Sequence, residues 1–204
     1  MGNSVSLEAG TTEGPRLMKS GMILLLNGVS GSGKTTLAKA LQEQIEEPVF
    51  HLALDAYLAQ LHDKHFHEKT ALTREWPAIG RGFQDSVAAL ARAGNRVIAD
   101  HVLQYRGWLY DCVRSWNGLS VVFVGVFCPM DTIRHRCVER GKVVDGWLER
   151  QAKQVHAHAD YDLRIDTATM PPRDAAEVID RFLQSCEPPL AFDRIRASPQ
   201  FGRD

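Results

Sequence analysis

Apolar residues recur along the chain with two periods, and the switch from one to the other marks out the elements. Residues 22–26 form an unbroken apolar run, long enough for one buried strand. Leu37, Leu41 and Ile45 then fall at i, i+4 and i+8, one face of a helix that Pro48 closes. The pattern predicts a second strand over 49–54, ending at Asp55, and a short helical piece over 56–61. Residues 62–70 are polar with no core face and read as a lid or substrate loop. A long helix is predicted over 76–93, with Phe83, Val87 and Leu90 on one face and Gly94 and Asn95 ending it. Strand three covers 96–100, a helix 106–116, and strand four 121–127, apolar enough to be central. Pro129 opens a helix carrying Ile133, Arg134, Arg136, Cys137 and Arg140, which breaks at Gly141. A further helix to about residue 158 and a strand over 163–166 follow. An amphipathic helix marked by Ala175, Val178, Ile179, Phe182 and Leu183 closes the pattern. Strands alternating with helices imply an α/β domain, its parallel sheet covered on both faces.

One stretch carries more than pattern. Gly28-Val29-Ser30-Gly31-Ser32-Gly33-Lys34-Thr35 fits G-x-x-x-x-G-K-[ST] at every position, between the first strand and the first helix. Glycines there let backbone N–H groups crowd onto phosphate oxygens, and the helix dipole favours the negative charge. Gly28, Ser30, Gly31, Ser32, Gly33, Lys34, Thr35 and Thr36 are therefore expected to bind ATP. Lys34 should reach the β- and γ-phosphates and the Thr35 hydroxyl should hold Mg²⁺. A chance match in a chain of this length has odds on the order of one in a hundred. Two rival glycine motifs fail, because a dinucleotide loop would need Gly where Thr36 stands and a nucleophile elbow would need Gly where Ser32 stands. The expected fold is a P-loop NTPase domain of the nucleoside-kinase-like kind, three layers α/β/α around a mostly parallel five-stranded sheet.

Composition bounds the partners. At 204 residues and 44% hydrophobic composition the chain suits one domain with a full core. Residues 1–20 read as a disordered leader, 21–187 as the kinase domain and 188–204 as a loosely ordered tail. With 24 basic against 25 acidic side chains there is no electrostatic case for nucleic acid or an anionic membrane. No apolar run approaches the roughly 20 residues of a membrane span, and the first 20 residues lack the layout of a signal peptide. Met1-Gly2-Asn3-Ser4-Val5-Ser6 satisfies the loose myristoylation pattern, but an untethered polar N-terminus is the expectation. Cys112, Cys128, Cys137 and Cys186 show no paired spacing, which suits free thiols in a reducing cytoplasm. Homo-oligomer formation stays open.

Beyond the cradle, phosphoryl transfer needs a metal site, cationic charge over the transferring group and something to orient the nucleophile. Asp100, ending an apolar strand, is the candidate for the Mg²⁺ site, against a solvated strand-end carboxylate. Asp55 lies where an acceptor hydroxyl would arrive, against a helix N-cap for Ala56 onward. Arg136 and Arg140 are four apart on one helix face and suit a phosphate lid, against ordinary surface arginines. His62, His65 and His67 resemble a metal cluster only at first sight, since no cysteine completes it; His101, His156 and His158 read as polar fill.

These residues lead to a resemblance. From about Met22 to the last helix the chain resembles the chloramphenicol phosphotransferase-like P-loop kinases, small cytoplasmic enzymes that move the ATP γ-phosphate onto a drug hydroxyl. The match includes Ile23 to Lys34, Asp55, Ala91-Arg92-Ala93-Gly94 and Val97-Ile98-Ala99-Asp100. It continues through Val124-Gly125-Val126 with Cys128, Arg136, Arg140-Gly141, Gln151, Val155-His156, Tyr161-Asp162 and Asp166-Thr167. The resemblance implies that Asp55 is the base toward the acceptor and that Arg136 and Arg140 face the phosphates. Val143 stands where the family has another arginine, and residues 59–82, which should help build the acceptor pocket, do not resemble the chloramphenicol enzyme. The expected activity is therefore ATP-dependent phosphorylation of a small hydroxylated acceptor, with an antibiotic among the candidates. A metabolite kinase of the shikimate or gluconate type, or a nucleotide-binding switch with no acceptor, are the alternatives.

Overall fold

The computed structural model describes residues 18–62, 64, 69–141 and 146–202, with backbone alone over 69–73. His65 and His67, Val143 and residues 1–17 lie outside the described residues. So does most of the stretch read as a lid.

Five strands form the centre: β1 (Ile23–Asn27), β2 (Val49–Ala53), β3 (Arg96–His101), β4 (Val121–Phe127) and β5 (Leu163–Asp166). Their order is β2-β3-β1-β4-β5 and every pairing is parallel. The sheet alternates its apolar side chains between two cores, as a two-residue period requires. Ile23, Leu25, Val97, Ala99 and Phe123 face one core, and Leu24, Leu26, Ile98, Val122 and Val124 face the other. The first core is covered by α3 (Lys69–Arg92) and α4 (Arg106–Ser115), through Phe83, Val87, Leu109 and Val113. The second is covered by α1 (Lys34–Gln44) and α7 (Pro172–Ser185), through Leu37, Leu41, Ala175 and Ile179. A short α2 (Leu54–Leu58) follows β2, while α5 (Met130–Glu139) and α6 (Gly146–Val155) pack Ile133, Leu148 and Val155 on Val29 of the glycine loop.

Two boundaries differ from the sequence reading. Met18 is fully buried in the second core, so the domain begins inside the stretch read as leader. Residues 188–202 are not loosely docked. They form α8 (Ala191–Ala197), whose Phe192 ring stacks on Trp116 with centroids 5.8 Å apart and meets Phe123 edge-on. The Asp162 carboxylate accepts the Ala191 N–H at 2.6 Å, and Arg194 pairs with Asp160 at 2.7 Å. Ala191 and Ile195 stand four apart on the buried face, a signal that the neighbouring prolines and arginines masked. Among the described residues no helix is long and apolar enough to cross a membrane.

Candidate active site

The glycine loop leaves the carboxyl end of β1 and enters α1 without a side-chain cap. Gly33 is the N-cap, at φ 98°, a left-handed conformation that a side chain would strain, and the first turn of α1 carries no acidic residue. The N-terminal N–H groups of the helix are thus left to an outside acceptor. A Cβ on Gly28 would stand 2.3 Å from the Val126 carbonyl oxygen, so the loop can lie this close to β4 only as glycine. The Ser32 hydroxyl is buried without a hydrogen-bond partner among the described residues, and a phosphate oxygen or a water would satisfy it.

Lys34 folds back over the loop, donating to the carbonyl oxygens of Gly28 at 2.9 Å and Val29 at 3.1 Å. Its ammonium lies 3.8 Å from Asp100, the last residue but one of the neighbouring strand β3. The Thr35 hydroxyl donates to the other Asp100 oxygen at 2.7 Å. Burial alone would raise the Asp100 pKa, but His51, Lys34 and Thr35 outweigh it and hold the carboxyl below its usual value. A permanently charged carboxylate touching the hydroxyl at the end of a P-loop is a donor pair that fits a magnesium ion. Such ions take one or two carboxylates and otherwise use phosphate and water oxygens. His101 follows Asp100, is buried, and is pushed down to about 4 by that burial, so it is neutral at pH 7.

A cavity of about 250 Å³ opens over the loop, and Ser30, Gly31, Gly33, Lys34, Thr35 and Thr36 all line it. Gly28 and Ser32 lie outside its lining. Asp55, Asp100, His101 and Arg140 complete its wall. Asp55 is exposed in the first turn of α2, whose N-cap is Ala53 with no side-chain capping bond. The helix starts two residues earlier than the sequence suggested, so the N-cap alternative for Asp55 does not hold. The two arginines separate. Arg140 reaches this cavity, whereas Arg136 is drawn toward the loop after β5 and donates to Thr167 Oγ1 at 3.1 Å and to its carbonyl oxygen at 2.9 Å. Arg136 lines an adjoining cavity, walled by Gly33, Thr36 and residues 167–172, to which Arg140 also contributes, so Arg140 borders both spaces and Arg136 only the second. The Thr167 hydroxyl in turn donates to the Ser32 carbonyl oxygen, fastening that loop to the cradle.

The family model described as chloramphenicol phosphotransferase-like protein matches residues 21–184. The chain belongs to this family. A protein of Mycobacterium tuberculosis (strain CDC 1551 / Oshkosh) that bears the name O-phosphotransferase is 31% identical over 201 residues, covering 88% of this chain and 89% of its own. Among solved structures, a sugar kinase from Janibacter sp. HTCC2649 superposes with a TM-score of 0.63 at 23% identity, covering 79% of this chain and 94% of its own. The Mycobacterium tuberculosis APS kinase, solved with AMPPNP and APS, gives a TM-score of 0.65 at 15% identity, covering 82% and 100%. The P-loop kinase fold expected from the sequence is thereby shown, as is the phosphotransferase class.

For this member of the chloramphenicol phosphotransferase-like family, several site residues carried no role in the sequence reading. Gln151 reaches from α6 to accept the Ser30 N–H at 2.7 Å, so one loop amide is held by a side chain 121 positions away. Asn27, fully buried at the end of β1, donates to Tyr161 Oη and the Val155 carbonyl and accepts the Leu103 N–H at 2.8 Å. It ties the cradle to α6 and to the segment after Asp100. His101 was read as polar fill and instead walls the cavity. His156 is polar fill as expected, its Nδ1 hydrogen-bonded to Tyr161 at 2.6 Å. Among the described residues no cluster of three or more His, Cys, Asp or Glu is grouped to hold a metal.

Proposed function

We propose that this protein transfers the γ-phosphate of ATP to a hydroxyl of a small molecule. The observation that carries the reading is one cavity joining the glycine loop, the Thr35–Asp100 pair and the exposed carboxylate of Asp55. In this reading the α1 N-terminus and Lys34 bind the phosphates. Thr35 and Asp100 hold a magnesium ion, which when bound offsets phosphate charge. Asp55 orients the acceptor hydroxyl and takes its proton. Arg140 faces the charge that develops on the transferring group, and Arg136 holds the loop at 167–172 against the nucleotide side. The family supplies the reaction class, and a chloramphenicol-like antibiotic and a shikimate- or gluconate-type metabolite are both acceptors consistent with it. A pure nucleotide switch has no use for a carboxylate at Asp55. The test is mass spectrometry of hydroxylated compounds incubated with protein, ATP and magnesium. A gain of one phosphate on an acceptor, with acceptor-stimulated ADP release, is the expected result. Nucleotide binding without transfer to any hydroxyl would overturn it.

A further inference from the structure

A second and larger cavity lies beside the cradle, between the middle of α3 and α4. It encloses about 520 Å³, within the range of roughly 300–1,000 Å³ usual for small-molecule sites. His101 walls both cavities, with 3% of its surface exposed and its Nδ1 unpartnered among the described residues. The two spaces therefore share a wall at the end of β3, next to Asp100.

The lining has two parts of different chemistry. One is aromatic: Trp76 of α3 and Trp108 of α4 lie with ring centroids 5.2 Å apart and planes inclined at 39°, and His101 packs against Trp108. The other is polar, made of Arg81, Gln84 and Asp85 from α3 facing Asp111, Arg114 and Ser115 from α4. The two arginines balance the two aspartates. Arg114 donates to Asp111 at 2.7 Å and the Ser115 hydroxyl to Asp85 at 2.9 Å, so no net field selects an ion.

An aromatic floor with a hydrogen-bonding rim matches one kind of molecule best. A saturated ring with C–H groups on its face and hydroxyls around its edge rests the face on the indoles and the edge against the rim. A plain aryl alcohol would use the floor but cover the rim without pairing it, which costs binding energy. An open-chain polyol would pair the rim but offer the floor no rigid face.

We propose that this cavity is the acceptor site and that the acceptor is an uncharged polyhydroxylated ring, a sugar or cyclitol unit, laid on Trp76 and Trp108. The assignment rests on the phosphotransferase reading above. A ring hydroxyl extends past His101 into the cradle. Its oxygen forms the new bond to the γ-phosphorus as the bond to the bridging oxygen breaks; ADP leaves, and Asp55 takes the proton.

The test uses the full chain with three groups of compounds: hexoses and inositols, open-chain polyols, and aryl alcohols including chloramphenicol. Binding is read by tryptophan fluorescence and transfer by product mass. Ring polyols should quench fluorescence and gain one phosphate. Trp76→Ala and the milder Trp108→Phe should raise the acceptor KM at least tenfold, with kcat and the KM for ATP changed less than twofold and the thermal midpoint retained. Trp147→Phe, a control away from the cavity, should change none of these. Preferred phosphorylation of aryl or open-chain alcohols, unchanged acceptor KM in both folded variants, or no binding by any ring polyol would overturn the acceptor assignment while leaving the phosphotransferase reading standing. Ring polyols that bind in a Trp76-dependent way but never gain phosphate would support the cavity and overturn the reaction.

Discussion

The two sides of the cleft are built in opposite ways. The proposed cradle is eight consecutive residues that would bind through their backbone, so a short motif specifies it almost completely. The proposed acceptor side draws on α2, α3, β3 and α4, with Asp55 and His101 walling one cavity and Trp76, His101 and Trp108 the other. A backbone site tolerates change elsewhere provided its glycines and its lysine stay. A side-chain site is re-specified by single substitutions. Such a division would let a kinase keep its reaction while its acceptor changes, and it can be tested from both sides.

The largest expected effect is on the cradle. Lys34→Ala removes the charge facing the phosphates and also frees the Gly28 and Val29 carbonyl oxygens that Lys34 now ties. ATP turnover should disappear and stability should fall by about 1–3 kcal/mol. Turnover near the original rate, measured by coupled ADP release, would remove the cradle from the account. Next come the arginines, which should no longer behave as a pair. Arg140→Ala should lower kcat by up to roughly 10³-fold at saturating ATP. Arg136→Ala, which loosens the Thr167 loop, should chiefly raise the KM for ATP. Equal effects on kcat from both variants would erase the distinction.

The next two predictions concern the frame that holds both sides. Phe192→Ala should cost about 3–5 kcal/mol, the usual range for a buried phenylalanine, read by denaturant unfolding. A change below about 0.5 kcal/mol would mean the tail is only loosely docked. The smallest effect is with pH. Burial lowers the His156 pKa to about 4 from the usual 6.5, so between these values the unfolded chain holds more protons than the folded one. The stability this group contributes is therefore present above pH 6.5 and lost as the pH falls toward 4. His156→Gln should flatten the decline in thermal midpoint by a few degrees across that window; an unchanged slope would assign the decline to other groups.

The same contrast governs what the sequence made legible. Strands four and five appear with their predicted limits: strand four is a run without a polar side chain that stops short of Pro129, and strand five alternates apolar with charged residues after Asp162. The helix predicted from Trp76 begins at Lys69, because Pro77 resembles a helix start while residues 69–75 show no apolar period. Asp100 was legible as a carboxylate ending a strand, and Thr35 as a motif residue, which together anticipated their contact. Gln151 and Asn27 bond across 121 and 76 positions, and no local pattern encodes such a pairing. The Trp76–Trp108 floor escaped for the same reason, since each indole by itself resembles core filling.

The central claim is that the carboxylate of Asp55 is the acceptor's base, and one variant tests it most directly. Asp55→Asn keeps the size and hydrogen-bonding shape of the side chain but cannot take a proton. Because Asp55 is exposed and caps no helix, the substitution should leave the thermal midpoint and ATP affinity unchanged. The measurement is kcat of Asp55→Asn with a working acceptor, set beside its thermal midpoint. A fall of roughly 10²- to 10⁴-fold, the span of a general base, is the predicted result. A near-normal rate in the folded variant would contradict the account and leave the acceptor hydroxyl without an identified base.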